Sequence, residues 1–311
     1  MQITRAGFLA LPPIVQAALM MTGGAACVAL QNGMIRIVSA EIHTFEIVFF
    51  RNLFGLVALL PAMSGGIALL RTSRPGGMLT MSGLHLAGMV CYFMAIAYLP
   101  LADVIALGFS KPLFVTLGAA LVLREVVRAR RWSAVLVGFL GVMIVLRPGA
   151  ETISPYALLI LGGTVLGAVV TLMIKRLVAS ERIATIVWYQ ALISTVFALP
   201  LCLLHWRMPD PAGWLMLIAI GALGTLSWLA MTRSIFLVDA SAVVPFEFLR
   251  LPFAALVAYL WFAEVPSVWT WLGGALIFLT TIYIAQREAQ VARQRAAAQV
   301  ALPPSGPSPA A

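Results

Sequence analysis

The chain has 311 residues, of which 62% are apolar and only 10% charged, with a mean hydropathy of +1.02. Soluble globular chains carry roughly 25% charged residues, so a water-soluble fold is excluded and there is no room for a soluble catalytic domain. The net charge of +9 would suggest nucleic acid in a soluble chain, but here the basic residues sit between apolar stretches, where they orient helices in a bilayer, and nucleic acid is not an expected partner.

A helix needs about 20 largely apolar residues to cross the hydrocarbon core. Residues 1–13, with Arg5, read as a cytoplasmic amino terminus. The first apolar run, 14–36, has no short core and small-residue cleavage site, so it reads as a retained helix rather than a signal peptide. Nine further runs follow at about 44–64, 78–98, 102–123, 132–147, 156–174, 183–204, 213–236, 240–262 and 269–285. The third and fourth, and the eighth and ninth, are joined by tight hairpins at Leu99–Leu101 and around Asp239. Residues 288–311 turn polar and Ala-rich and end in a Pro/Ser-rich stretch, which reads as a short helical overhang and then a disordered cytoplasmic tail. Cys27, Cys91 and Cys202 all fall in apolar runs, where packing is the expected role.

With the amino terminus inside, fourteen basic residues fall in inside segments, among them Arg71, Arg74, Arg128 and Lys175. Only Arg36, Arg147 and Arg207 fall outside. The positive-inside rule therefore places both termini in the cytoplasm. The scarcity of lysine, only Lys111 and Lys175, together with abundant alanine, suggests a bacterial source and hence the inner membrane.

An offset of 139 residues superposes the halves. Gly23 and Gly24 fall on Gly162 and Gly163, Arg36 on Lys175, Pro61 on Pro200, Lys111 on Arg250, Glu125 on Glu264, and Trp132 on Trp271. Each half holds five helices, so the second enters the membrane in the opposite sense. The loop at 124–131 carries four arginines, whereas its copy at 263–270 carries none. The expectation is an all-α integral membrane protein of ten helices in two inverted five-helix repeats, 14–147 and 155–287. Such repeats build secondary transporters, in which one half rocks against the other around a midplane site.

Phe49–Leu56, the stretch from Pro112 through Leu123–Glu125 to Gly138–Gly141, and the segment Pro252–Glu264 resemble the two repeats of EamA-type members of the drug/metabolite transporter superfamily. The likeness covers roughly residues 14–287. The family's usual Gly before the loop glutamate is Arg124 in one copy and Ala263 in the other, and the counterpart of Arg51 is Gln190. The resemblance implies a secondary carrier, often an exporter of amino acids or related metabolites. A small-molecule substrate and the lipid bilayer are its expected partners, a coupling proton or exchange substrate is a further candidate, and no cofactor or metal is implied.

A Lys or Arg at the centre of a spanning helix costs about 2.5–3.5 kcal/mol, so each marks a cavity or a partner. Three qualify: Arg51, Lys111 and Arg250. A structural ion pair is the alternative reading. Glu247, three residues before Arg250, shares its helix face, whereas Glu46 lies about 140° round the helix from Arg51. Lys111 has no acid on its neighbouring turns and is the sharpest candidate for an anion site. Pro112 and Pro252 cannot donate to the carbonyls of Gly108 and Phe248, leaving two acceptors near the basic residues. Tyr92 and Trp228 lie deep enough to line a cavity, although lipid contact is the competing role.

For His85, a helix-to-helix hydrogen bond is expected before a proton relay. Asp103 reads as exposed at its hairpin, and Gly162, Gly163 and Gly167 read as packing positions. His43 and His205 read as lying near opposite interfacial segments. With no clustered metal ligands, nucleophile motif or phosphate loop, a membrane enzyme is the distant alternative to a carrier. Uptake of a cofactor-like metabolite is the nearer one.

Overall fold

The computed structural model describes residues 11–59, 71–122, 129–147, 154–238 and 245–300, and within these it is all helical. The helices are α1 (Pro13–Val38), α2 (Thr44–Leu59), α3 (Pro75–Tyr98), α4 (Leu101–Gly108), α5 (Lys111–Val122), α6 (Ala129–Leu146), α7 (Pro155–Leu177), α8 (Ile183–Leu204), α9 (Pro211–Leu237), α10 (Arg250–Phe262) and α11 (Val268–Val300). Arg5, Pro61, Arg124, Glu125, Arg128, Asp239 and residues 301–311, all used above, lie outside the described residues.

Helix starts follow local chemistry. Proline opens α1, α3, α7 and α9, where its missing N–H costs nothing. The side chains of Ser154 and Asp210 cap α7 and α9 by accepting from Tyr156 N (3.3 Å) and Gly213 N (2.7 Å). Ala263 ends α10 in the left-handed conformation at φ 53°, the backbone region in which glycine is the least strained residue.

The expected count of ten spans is corrected. Among the described residues, eight helical segments are long and apolar enough to cross a membrane. Two of these are the combined runs Leu101–Leu121, interrupted near its middle, and Pro245–Phe262, interrupted near the start of its described part. Trp132–Leu146 is a shorter apolar helix, and α2 is described over only 16 residues. The helical overhang expected after residue 287 runs to Val300 in α11. Its Ala-, Gln- and Arg-rich extension consists of good helix formers that add to a helix already nucleated by the membrane span.

Packing obeys the two-fold relation. The offset carries α1 onto α7, α2 onto α8, α3 onto α9 and α6 onto α11. The α1–α9 contact has its mate in α3–α7, α1–α10 in α5–α7, and α2–α9 in α3–α8, while α2–α8 and α6–α11 are their own mates. The repeats interlock, because each helix packs chiefly on helices of the other repeat. Close approach on α3–α7 depends on small residues: a Cβ on Gly163 would sit 3.0 Å from Cys91 Cβ and 3.1 Å from the Gly88 carbonyl. Helix α4 runs through the centre, with Leu101, Ala102 and Val104–Leu107 all buried.

The loops sort into two ends. At one end Arg36 pairs with Glu264 (Nη1–Oε2 2.9 Å) and donates to the Leu99 carbonyl (3.3 Å). Arg147 meets Ser267, and the backbone N–H of Arg207 donates to Glu46 (2.6 Å). His43 and His205, expected near opposite interfaces, stack at 4.1 Å at this same end, because an even number of crossings separates their loops. At the other end Glu181 accepts from Thr72 and from Ser73, and these hydrogen bonds hold its carboxyl below the usual carboxylate range. Asp103, expected to be exposed, is half-buried and accepts from Thr270, tying α4 to α11.

Candidate functional site

The two interrupted spans meet at the middle of the protein. Pro112 and Pro252 have no N–H to give, so the backbone there tightens from i→i+4 to i→i+3 hydrogen bonds. These run from Ser110 N to Leu107 O (3.0 Å) and Leu113 N to Ser110 O (2.9 Å) in the first repeat. In the second they run from Leu249 N to Phe246 O (3.2 Å) and Leu251 N to Phe248 O (2.9 Å). Lys111 opens α5 and Arg250 opens α10, so each basic residue stands at the start of a half-helix, where the helix dipole adds positive potential. The aromatic residues at the breaks, Phe109 and Phe248, are themselves 139 apart and stack at 5.9 Å across the pseudo-two-fold.

A cavity of about 330 Å³ lies beside these breaks. Its wall includes Arg51, Lys111 and Arg250, and no Asp or Glu lines it among the described residues. That volume is at the lower end of those typical of small-molecule sites. Lys111 is exposed to this space, and neither it nor Arg51 has an ion-pair partner among the described residues. Among the described residues Arg51 reaches only Asn52 Oδ1, at 3.4 Å. Arg250 is more restrained: its Nη2 lies 3.8 Å from Glu247 Oε1 and 3.9 Å from Met231 Sδ, while its buried Nε has no partner among the described residues.

Glycines of the second repeat make room for these cations. A Cβ on Gly167 would sit 3.3 Å from Lys111 Cε, and one on Gly224 would sit 3.4 Å from Arg51 Nε and 2.6 Å from Gln31 Nε2. Gly167, expected to serve helix packing, borders the lysine instead. Gly162 has nothing within 4 Å of its Cβ position, so it has no packing role among the described residues.

Tyr92 and Gly108 line the cavity. The Tyr92 hydroxyl accepts from Asn32 Nδ2 at 2.9 Å. The Gly108 carbonyl receives no backbone donor among the described residues, whereas that of Phe248 is taken by Leu251 N. The expectation of a free carbonyl at Phe248 is therefore corrected: tightening by one residue supplies the donor that Pro252 lacks. Neither Phe248, stacked on Phe278 at 4.3 Å, nor Glu247 is part of the cavity wall.

Trp228 lines a second, smaller chamber of about 130 Å³. His85 makes no hydrogen bond among the described residues, contrary to the expected helix-to-helix bond. It lies with Arg51 between the two chambers, because both residues line each of them. Sequence reasoning missed Gln31 and Asn32, which line the first cavity from α1. The signal was there: two adjacent amides inside an otherwise apolar span require partners, and Gln31 finds the Ile220 carbonyl at 3.0 Å.

Residues 15–147, and again 154–286, match the EamA-like transporter family. The chain belongs to that family. This EamA-like chain is 34% identical to a riboflavin transporter of Vibrio cholerae, over 91% of this chain and 96% of that protein. It is 34% identical to a pseudopaline exporter of Pseudomonas aeruginosa over 83% and 92% of the two chains. Identity to an S-adenosylmethionine uptake transporter of Rickettsia felis is 29% over 82% and 87%. A crystal structure described only as that of a protein superposes with a TM-score of 0.58, covering 89% of this chain and 98% of that one. At 17% identity it shows the fold alone. The EamA-like chain is thus a multi-pass membrane transporter of the drug/metabolite transporter type, with two family repeats.

Proposed function

We propose that this transporter is a secondary carrier for small metabolites bearing an anionic group, such as the carboxylate of an amino acid or an amino-acid-derived compound, and that it exports them across the bacterial inner membrane with both termini cytoplasmic. The observation that carries the reading is the cavity wall. Three basic side chains, from both repeats, converge on a space that no Asp or Glu lines among the described residues. Lys111 and Arg51, which have no acid in ion-pair range among the described residues, cost too much to be retained without a counter-charge, and the substrate supplies it. Lys111 attracts the anionic group, Arg51 and Arg250 set the polarity around it, and the Gly108 carbonyl receives an ammonium or hydroxyl donor.

Alternating access fits the inverted architecture, but the interlocked packing supports mixed moving units rather than one whole repeat against the other. Helix α1 travels with α9 and α10, and α7 with α3 and α5. A coupling proton or a counter-substrate drives the cycle. The name of the Pseudomonas relative favours export. Uptake of a cofactor-like metabolite is the second reading, favoured by the likeness to the riboflavin transporter over nearly the whole chain.

Flux measurements in proteoliposomes against amino acids, amino-acid conjugates, riboflavin and S-adenosylmethionine test both. An acidic or zwitterionic compound is expected to be carried in preference to S-adenosylmethionine, whose ammonium and sulfonium outweigh its one carboxylate beside three basic side chains, with Lys111→Met inserting normally while its KM rises at least tenfold. Wild-type rate and affinity in Lys111→Met would place the site elsewhere, with Arg51 the next residue to change.

A further inference from the structure

The chamber beyond Arg51 and His85 has a different character from the cavity it adjoins. Among the described residues Arg51 is the only Lys, Arg, Asp or Glu in its wall, and the remaining polar groups are two amides, an imidazole, a hydroxyl and an indole N–H. Three of the positions are pairs related by the 139-residue offset: Arg51 with Gln190, Asn52 with Ala191, and His85 with Gly224. The chamber therefore sits on the pseudo-two-fold axis, where an alternating-access carrier holds its substrate. The paired positions have diverged in one direction. The first repeat contributes the cation and the imidazole, while the second contributes a neutral amide and two small residues, Ala191 and Gly224.

Several polar groups here are unmet. Gln190, Trp228 and His85 make no side-chain hydrogen bond among the described residues, although Asn52 and Thr225 are satisfied by the Val48 and Gly221 carbonyls. An apolar cavity of about 150 Å³ admits a benzene-sized guest, so a chamber of about 130 Å³ takes one small ring. An indole face offers that ring a stacking surface, and an amide offers both a donor and an acceptor.

We propose that this chamber is a second substrate subsite, which takes an uncharged, ring-sized heteroaromatic group of the same molecule whose anionic end occupies the first cavity. The substrate bridges the two chambers across Arg51, its ring against Trp228 and its ring heteroatoms paired with Gln190. The inference rests on the anion reading above and narrows it to heteroaromatic acids.

The test uses the full chain in proteoliposomes at pH 8, where an imidazole with a pKa of about 6.5 is neutral. The probes are N-acetylhistidine, which has the carboxylate and the ring, N-acetylalanine, which has the carboxylate alone, and histidinol, which has the ring without the carboxylate. N-acetylhistidine is expected to show a KM at least tenfold below that of N-acetylalanine, and histidinol is expected not to be carried. Ala191→Leu, which fills the chamber, should raise the KM for N-acetylhistidine to that for N-acetylalanine and leave the latter unchanged. Trp228→Leu should do the same independently of any folding defect peculiar to position 191, and retained N-acetylalanine flux certifies that each variant is folded. Equal KM values for the two acids in the wild type, or an equal loss of both in the variants, overturns the subsite while leaving the anion reading standing. If the wild type carries neither acid, or carries histidinol as well as N-acetylhistidine, the anion reading and the subsite fail together.

Discussion

The two interrupted spans occupy the same place in their repeats and have not stayed alike. In the first, Pro112 leaves the Gly108 carbonyl without a backbone donor beside the cavity, and Lys111 stands with no acid in ion-pair range among the described residues. In the second, Leu251 N recovers the Phe248 carbonyl, and Glu247 lies 3.8 Å from Arg250. A proline and a basic residue at a half-helix start thus yield different breaks, because Pro112 follows Lys111 directly whereas Pro252 stands two residues after Arg250, and Leu251 N is placed to serve the Phe248 carbonyl. Duplication supplies two related frames, and the one-residue displacement of the proline and the acid at position 247 set them apart. The comparison assigns Lys111 the larger part in holding an anion, and Arg250 the smaller.

The largest expected effect follows directly. Lys111→Met should raise the KM for the transported acid at least tenfold, a loss of about 1.4 kcal/mol or more. It should also raise the melting temperature, because a charge held within the bilayer span is removed. Arg250→Met should raise KM less, since Glu247 already neutralises part of that charge, and should lower stability by leaving the carboxylate unpaired. Flux and melting curves on both variants decide it, and an order of effects reversed in both measurements would reverse the assignment.

This asymmetry marks how much could be read from the chain. The spans, the inverted duplication and the three midplane cations follow from hydropathy, the 139-residue register and the cost of charge in lipid, and those cations line one cavity. Phe248 was misread because a proline at a fixed spacing says which N–H is missing but not whether the next turn tightens to replace it. That depends on local dihedrals, and on the one-residue shift of Pro252 relative to Pro112 between the repeats. The second chamber was illegible for another reason. Its wall is assembled from α2, α3, α8 and α9, and a chamber built from four helices has no signature in a single segment. His43 and His205 show the same limit at the surface, since their contact depends on parity of crossings rather than on either loop's sequence.

The proline effects come next in size. Pro112→Ala restores an N–H that can reach the unpaired Gly108 carbonyl, so it should stabilise the chain by about 1 kcal/mol while slowing transport, because the cavity loses an acceptor. Pro252→Ala offers its N–H to a carbonyl that Leu251 already serves and should change stability by less than half as much. Chemical-denaturation midpoints compare the two, and equal gains would show that the breaks are equivalent. Glu247→Gln is smaller still. Releasing Arg250 from a half-exposed pair worth under about 1 kcal/mol should lower the KM for the transported acid roughly threefold. An increase would mean that Glu247 takes part in binding.

The smallest effect tests the origin of the difference itself. Ser110 is buried, and its hydroxyl donates to the Leu107 carbonyl at 2.6 Å, whereas the equivalent Leu249 has no hydroxyl and its break stands without one. If the hydroxyl merely satisfies itself, Ser110→Ala loses a hydrogen bond of about 0.5–1.5 kcal/mol and regains a few tenths from the better helix propensity of alanine. The Leu107 carbonyl also keeps its bond from Ser110 N. The net cost should therefore be about 0.5 kcal/mol, with transport unchanged. A loss of transport at that small stability cost would show instead that the serine holds the first break open. The free Gly108 carbonyl would then depend on Ser110 as well as on Pro112. Double substitution Ser110→Ala with Pro112→Ala separates the cases. Additive stability changes keep the serine a bystander, whereas a double variant no different from Pro112→Ala alone, in both flux and stability, makes the pair one device.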